Sequence, residues 1–260
     1  MAEIKFIHKV SKGTRFNQIY IPLGMKDRFD AGDIVEVRLL EKKSGLIYSP
    51  ELKKQVKKLN SFKEELIQKI FGVLADYKEI KRAFIVGSFL THKNEYNDID
   101  ILIISNKDNE EKINEILLEK FELKFHVMAI SEKDFEKLIE SCPLTRSMFY
   151  YFVSDKEFML PKETKLNKKH IQFLLMMPED LLKIKLKPRV FYDSLRRLIT
   201  IERFLDEDKL NPLEIEKEIK NLIGERNALD IKVSEGLDET LLKKIRKIIT
   251  SKLNKINKKI

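Results

Sequence analysis

Phe84-Ile85-Val86-Gly87-Ser88, followed after nine residues by Asp98-Ile99-Asp100-Ile101-Leu102, is the stretch whose reading decides the fold. Each half is a short apolar, β-branched run of the kind that forms buried strand. Asp98 and Asp100 stand two apart, so on a strand both carboxylates project from one face while Ile99 points into the core. Two anions held side by side repel, and a cation between them relieves the cost. A hard divalent ion such as Mg2+ suits this pair, because it takes few protein carboxylates and fills its other positions with water and phosphate oxygens. Gly87 permits close backbone approach, and a helix opening near Ser88 would turn its N–H groups towards a phosphate. A small triphosphate loop facing two metal-holding aspartates fits nucleotidyl transfer.

Outward from this stretch the pattern is α+β. Ser49-Pro50-Glu51 starts a helix, with Ser49 as N-cap and Pro50 at the first helical position. It runs towards Tyr77 with a break at Asn60-Ser61 and an apolar stripe at Leu59, Phe62, Leu66, Ile70 and Leu74. After Asp98–Ile104 a helix is expected over Glu110–Lys120, a strand over Glu122–Ile130 and a helix capped by Ser131. A strand pair follows at Tyr150–Val153 and Glu157–Leu160. Beyond Leu166 the period is helical throughout, with helices expected at Lys168–Leu182, Val190–Asp206, Pro212–Ala228 and Thr240–Asn257, punctuated by Pro178, Pro188 and Pro212.

Gly87-Ser88, the spacer and Asp98-Ile99-Asp100, on flanking strands after a helix, resemble the active-site signature of the DNA polymerase β-like nucleotidyltransferase superfamily, especially its minimal stand-alone members. The resemblance covers about Phe62–Leu160. It implies Asp98 and Asp100 as catalytic metal ligands, Mg2+ as cofactor, and a nucleoside triphosphate, ATP foremost, at Gly87 and Ser88. Lys93, in the intervening loop, is a candidate for touching the triphosphate. The family also carries a third carboxylate on the next strand. Glu122, Lys124 and His126 share one face there. Glu122 fits the apolar–carboxylate–apolar pattern. A different register would put Lys124 level with the aspartates and remove the carboxylate, and His126 could then serve as base or as a hydrogen-bonding sheet residue.

The first 45 residues read as a separate unit with strands at Ile4–Val10, Asn17–Pro22 and Ile34–Leu40. So short a unit needs a partner to be stable. Lys9-Val10-Ser11, Arg15, Ile19-Tyr20-Ile21-Pro22 and Gly32-Asp33-Ile34-Val35-Glu36-Val37 resemble the AbrB/SpoVT swapped-hairpin family. That resemblance implies a homodimer and, through Lys9, Lys12, Arg15, Lys26 and Arg28, contacts to DNA phosphates. In the helical C-terminal part Arg196, Arg197 and Arg203 could face the nucleotide cleft or form an ordinary basic helix surface. Arg226-Asn227 is similar to the start of the HEPN-type RNase signature, but Ile231 stands where its histidine would be, so no RNase activity is expected.

The expected fold class is therefore multidomain α+β: a small β swapped-hairpin domain (1–45), a nucleotidyltransferase domain with a mixed sheet (50–163) and a C-terminal helical bundle (166–260). Of the 260 residues 43% are hydrophobic, ample for a core, and 36% are charged. Lys and Arg outnumber Asp and Glu 51 to 42, giving a net charge of +9 that favours anionic partners, nucleotide, DNA or RNA. One cysteine, Cys142, excludes an internal disulfide framework and a cysteine-ligated zinc site. No apolar run approaches the ~20 residues of a membrane span and no signal-peptide pattern opens the chain, so a cytoplasmic protein with no membrane partner is expected. The rival to a Mg2+-dependent nucleotidyltransferase is a DNA-binding, antitoxin-like regulator whose nucleotidyltransferase unit only senses nucleotide.

Overall fold

The structure, a computed structural model, describes residues 6–8, 10–37, 45–54, 59–91 and 96–260. Its centre is a mixed five-stranded sheet. In spatial order the strands are β3 (Ile47–Tyr48), β7 (Phe152–Ser154), β4 (Arg82–Val86), β5 (Ile99–Ile104) and β6 (Phe125–Ile130). Neighbours run antiparallel except β5 and β6, which run parallel and are joined by helix α3 (Glu110–Phe121). β4 and β5 are buried on both faces, which is why they read as continuous apolar runs.

Helix α2 (Ser61–Leu74) and α3 cover one face, setting Ile67, Ile70, Ile113 and Leu117 against Ile85, Ile99, Ile101 and Ile103. On the other face, α4 (Glu132–Ser141) and α5 (Pro143–Met148) bring Phe135, Ile139 and Phe149 onto Phe84, Val86 and Leu102. The Phe84 and Phe149 rings meet edge to face at 4.9 Å. Ser49 caps the short helix α1 (Pro50–Lys53), and Asn60 caps α2 by accepting from Lys63 N–H at 2.9 Å. The break expected at Asn60 is therefore a cap. The expected stripe is corrected at its second position: Phe62 is 56% exposed, and Lys63 turns inward at 2%.

Five helices complete this unit: α6 (Lys168–Asp180), α7 (Pro188–Leu205), α8 (Pro212–Ile223), α9 (Glu225–Lys232) and α10 (Glu239–Asn257). Leu175, Leu195, Ile199, Ile219, Ile245 and Ile249 fill their interior. Cys142, between α4 and α5, joins the same interior, and Leu138 and Leu144 pack against it. The sheet layer and the bundle thus share a seam, and residues 43–260 form one compact unit.

Three expected elements change. The helix expected over Pro212–Ala228 is split at Gly224, whose φ of +94° only glycine adopts without strain. The strand expected from Glu122 starts at Phe125, because Glu122 closes α3 in the left-handed conformation at φ 55°. The segment Glu157–Leu160 forms no strand; Phe158 instead packs its ring 5.1 Å from that of Phe84.

Residues 1–42 form the other compact unit. β1 (Ser11–Lys12) pairs with β2 (Asn17–Gln18) around a turn closed by Gly13 N–H to Phe16 O at 3.0 Å, and a 3-10 helix spans Leu23–Arg28. Here the expected strands are corrected. Among the described residues only the two-residue pairs are strand, residues 34–37 lie outside any strand, and Ile34 is 99% exposed. The swapped-hairpin architecture is not supported, since so short a ladder supplies few backbone bonds and no apolar cover. Of the expected strands, Ile4, Lys5, Lys9 and residues 38–40 lie outside the described residues.

Candidate active site

The site lies where β4 ends and β5 and β6 begin. The ladder sets Val86 opposite Asp100 and Asp100 opposite His126, so Asp100 and His126 project from the same face of the sheet. Leu102 continues that face into the Phe84 cluster. Asp100 is thus a carboxylate at the rim of an aromatic core. Its Oδ1 lies 3.1 Å from His126 Nδ1. Burial pushes the Asp100 carboxyl above the usual carboxylate range; the His126 bond opposes that, the charge of Asp98 adds to it, and the guanidinium of Arg196 on α7 opposes it.

Gly87 is required here twice over. Its φ is +83°, and a side chain on it would collide with Asp100 Oδ2 and stand 3.3 Å from its Cγ. The backbone of β4 is held against the carboxylate by the lack of a side chain. Ser88 follows, exposed, and opens a three-residue 3-10 turn, Ser88–Leu90, in place of the expected helix. Thr91 closes that turn, its N–H and Oγ1 both donating to Ser88 O at 3.0 and 2.7 Å.

The turn rests on Lys63, a residue the sequence reading missed. Its Nζ donates to Thr91 O at 2.9 Å and stands over the Phe89 and Tyr96 rings at 5.3 and 5.4 Å. Burial holds its ammonium below the usual lysine range. The signal was there: Lys63 falls at helical spacing from Leu59, Leu66, Ile67 and Ile70, all inward-facing.

The expected residues separate clearly. Asp98, Asp100, His126 and Gly87 come together, with Ser88 next in the chain. Ile99 N–H donates to Lys124 O at 3.0 Å, which sets Lys124, exposed, beside the start of β5. The register therefore puts His126 level with Asp100, where a third carboxylate was sought. Glu122 is corrected: it is exposed at the end of α3 and lies off the β6 strand. Lys93 lies outside the described residues, as does Lys9. Lys12, Arg15, Lys26 and Arg28 are exposed in the N-terminal unit. Arg203 belongs to the bundle's own ion pairs, bonding Glu214 at 3.0 Å and Glu218 at 3.3 Å. Arg197 donates to Leu174 O at 3.2 Å, while Arg196 is exposed and its field reaches Asp100.

Among the described residues no group of three or more His, Cys, Asp or Glu side chains converges as a metal centre. Asp98 and Asp100 nonetheless fit Mg2+: a carboxylate that burial and a neighbouring anion both disfavour gains from a divalent cation, and Mg2+ needs few protein ligands.

Comparison with known proteins agrees with this geometry. A family model described as nucleotidyltransferase domain matches residues 67–223, from α2 across the site and into α8. The chain belongs to this nucleotidyltransferase family, within the DNA polymerase β-like superfamily. The match does not reach the first 42 residues. No curated protein and no solved structure matches significantly. Among the described residues no helix is long and apolar enough to cross a membrane.

Proposed function

We propose that the protein transfers a nucleoside monophosphate from a nucleoside triphosphate, ATP foremost, to a hydroxyl acceptor, with Asp98 and Asp100 holding Mg2+. The observation that carries this reading is Asp100 itself, a carboxylate disfavoured by burial, wedged against the side-chain-free edge of Gly87 and bonded to His126. Bound there, Mg2+ would supply Lewis-acid stabilisation of charge on the phosphates.

The protein's own groups do the rest. Gly87 and Ser88 accommodate the phosphates, and Lys63 fixes the shape of their turn. Arg196 adds positive charge on the bundle side. Asp100 orients the His126 ring: with Nδ1 donating to Asp100, Nε2 carries the lone pair and can take the acceptor's proton. The acceptor oxygen bonds to the α-phosphorus, the bond to the bridging oxygen breaks, and pyrophosphate leaves with that electron pair. Incubation with α-labelled nucleotide and Mg2+ tests the reading. Label should move to protein, RNA or a small-molecule hydroxyl with the wild type. The Asp98→Ala, Asp100→Ala double variant should transfer none while keeping its circular dichroism. Transfer at the wild-type rate by that variant overturns the assignment.

Lys124 beside the start of β5 and the histidine in place of a carboxylate favour a second reading, a DNA-binding regulator that senses nucleotide without transferring it. Tight, steeply salt-dependent DNA binding through Lys12, Arg15, Lys26 and Arg28, with no transfer, would establish it. The exposed Phe16, Ile34, Val35 and Val37 support a homodimer through the N-terminal unit. Light scattering should then report twice the 30.8 kDa chain mass.

A further inference from the structure

From Thr240 to Ile260 the chain carries seven lysines, one arginine and no Asp or Glu. The structure sorts these cations by face. Lys252 bonds Glu202 at 2.5 Å and Glu218 at 3.2 Å, Lys255 pairs with Glu202, and Lys259 pairs with Asp206. Those three neutralise acids on and beside α7 and α8. Lys243, Lys244 and Lys247 lie on the exposed side of α10 and form no ion pair within 4.0 Å among the described residues.

The connection between α6 and α7 lies against this side. Arg246 donates to Leu181 O and Ile184 O, both at 3.0 Å, which pins the segment holding Lys183, Lys185 and Lys187 beside α10. Between them runs a furrow of about 540 Å3, lined by Leu182, Arg246, Lys247, Thr250, Ser251 and Asn254. None of these lining residues is acidic. Glu239 is already taken by Lys185 at 2.7 Å, and Glu179 and Asp180 end α6. Cations outnumber acids along the groove, and Thr250, Ser251 and Asn254 add hydroxyl and amide groups to a lining that Leu182 and the aliphatic stems of Arg246 and Lys247 make partly apolar.

We infer that this furrow between α10 and the α6–α7 connection binds single-stranded RNA. A phosphate backbone matches a row of lysines one helical turn apart, such as Lys243 and Lys247. Ser251 and Asn254 supply groups that pair with a ribose 2′-hydroxyl, the feature that distinguishes RNA from DNA. Ile184 and Leu186, about half exposed beside the lysines, offer apolar contact to base faces. The inference stands apart from the transfer reaction, since none of these residues lies in the Asp100 site.

The test uses the full chain and a fluorescein-labelled 20-nucleotide poly-U RNA, followed by anisotropy between 50 and 200 mM salt. The wild type should bind. Lys243→Gln with Lys247→Gln should weaken binding at least tenfold and make the salt slope shallower by about 1.4, at about 0.7 per lost contact. Ser251→Ala with Asn254→Ala should reduce the preference for RNA over DNA of matched sequence. Lys12→Gln with Arg15→Gln, and Asp100→Asn, should leave RNA affinity unchanged, which separates this result from success or failure of the transfer reading. The inference is overturned by absence of binding at 50 mM salt or by an unaffected Lys243/Lys247 variant. It is equally overturned by DNA binding as tight as RNA, by loss in the Lys12/Arg15 variant instead, or by tighter binding to phosphatidylserine vesicles.

Discussion

Two carboxylates, half-buried Asp100 at the end of the sheet and buried Glu202 inside the bundle, show opposite ways of keeping an acid out of water. Glu202 is 7% exposed; burial pushes its carboxyl up, but the ammonium groups of Lys252 and Lys255 overcome that and hold it below the usual range. Asp100 is left above its usual range, because burial and Asp98 outweigh one histidine bond and a more distant guanidinium. A satisfied acid of the first kind belongs to the architecture. An acid left disfavoured, and held against a glycine, supports the metal-binding role proposed for Asp100.

The strongest way to break this contrast is to neutralise each acid in turn. Asp100→Asn should lower nucleotide transfer by about a thousandfold or more, the scale of losing a metal-holding, base-orienting group, measured with labelled nucleotide. Glu202→Ala should leave Lys252 with Glu218 as its remaining partner and cost about 1–3 kcal/mol of stability by urea unfolding, with transfer per folded molecule unchanged. Gly87→Ala should sit between the two, losing about a hundredfold in transfer and about 1–3 kcal/mol of stability from its φ of +83° and the collision with Asp100. Lys63→Met should raise the KM for nucleotide several-fold with kcat nearly kept, because the Ser88–Leu90 turn loses its tether at Thr91 O.

The smallest effect is the most discriminating. Because the folded-state pKa of Asp100 is raised, its ionisation works against folding at neutral pH and ceases to do so below the unfolded carboxylate range. Asp100→Asn should therefore melt slightly higher than wild type at pH 7, an advantage that fades in acid. Glu202 has the opposite sign: its lowered pKa contributes stability above the unfolded value that is lost as pH falls through the folded one. Differential scanning calorimetry of the two variants between pH 3 and 7 would show the curves diverging in opposite directions.

Much of the site was legible because its signal is local. The spacing from Gly87-Ser88 to Asp98-Ile99-Asp100 reports strand, turn and strand, and alternation alone puts both aspartates on one face. What was not legible depends on the neighbouring chain segment. Whether Glu122, Lys124 or His126 stands level with Asp100 turns on where β6 begins and how it pairs with β5, and a two-residue slip there exchanges one candidate for the next on the same face. Glu122, in an apparent apolar–acid–apolar strand pattern, is taken by the end of α3. The inward side of Lys63 is readable from helical spacing, but its partner, Thr91 O, lies 28 residues away and is not. Arg196 could be placed only by the packing of α7, and the split at Gly224 was hidden within an otherwise unbroken helical period. In the first 42 residues alternation alone was misleading, since Ile34, Val35 and Val37 carry a strand pattern yet remain exposed outside any strand.

The seam at Cys142, where the corner between α4 and α5 is sunk into the bundle's interior, has a mechanical consequence. Jaws joined by a linker can yawn apart, but these are welded at the back by a shared apolar filling. On the proposed transfer reading, Asp100 and Arg196 then ride on layers that share one filling, and an acceptor would be admitted by its fit to them rather than by a swinging door.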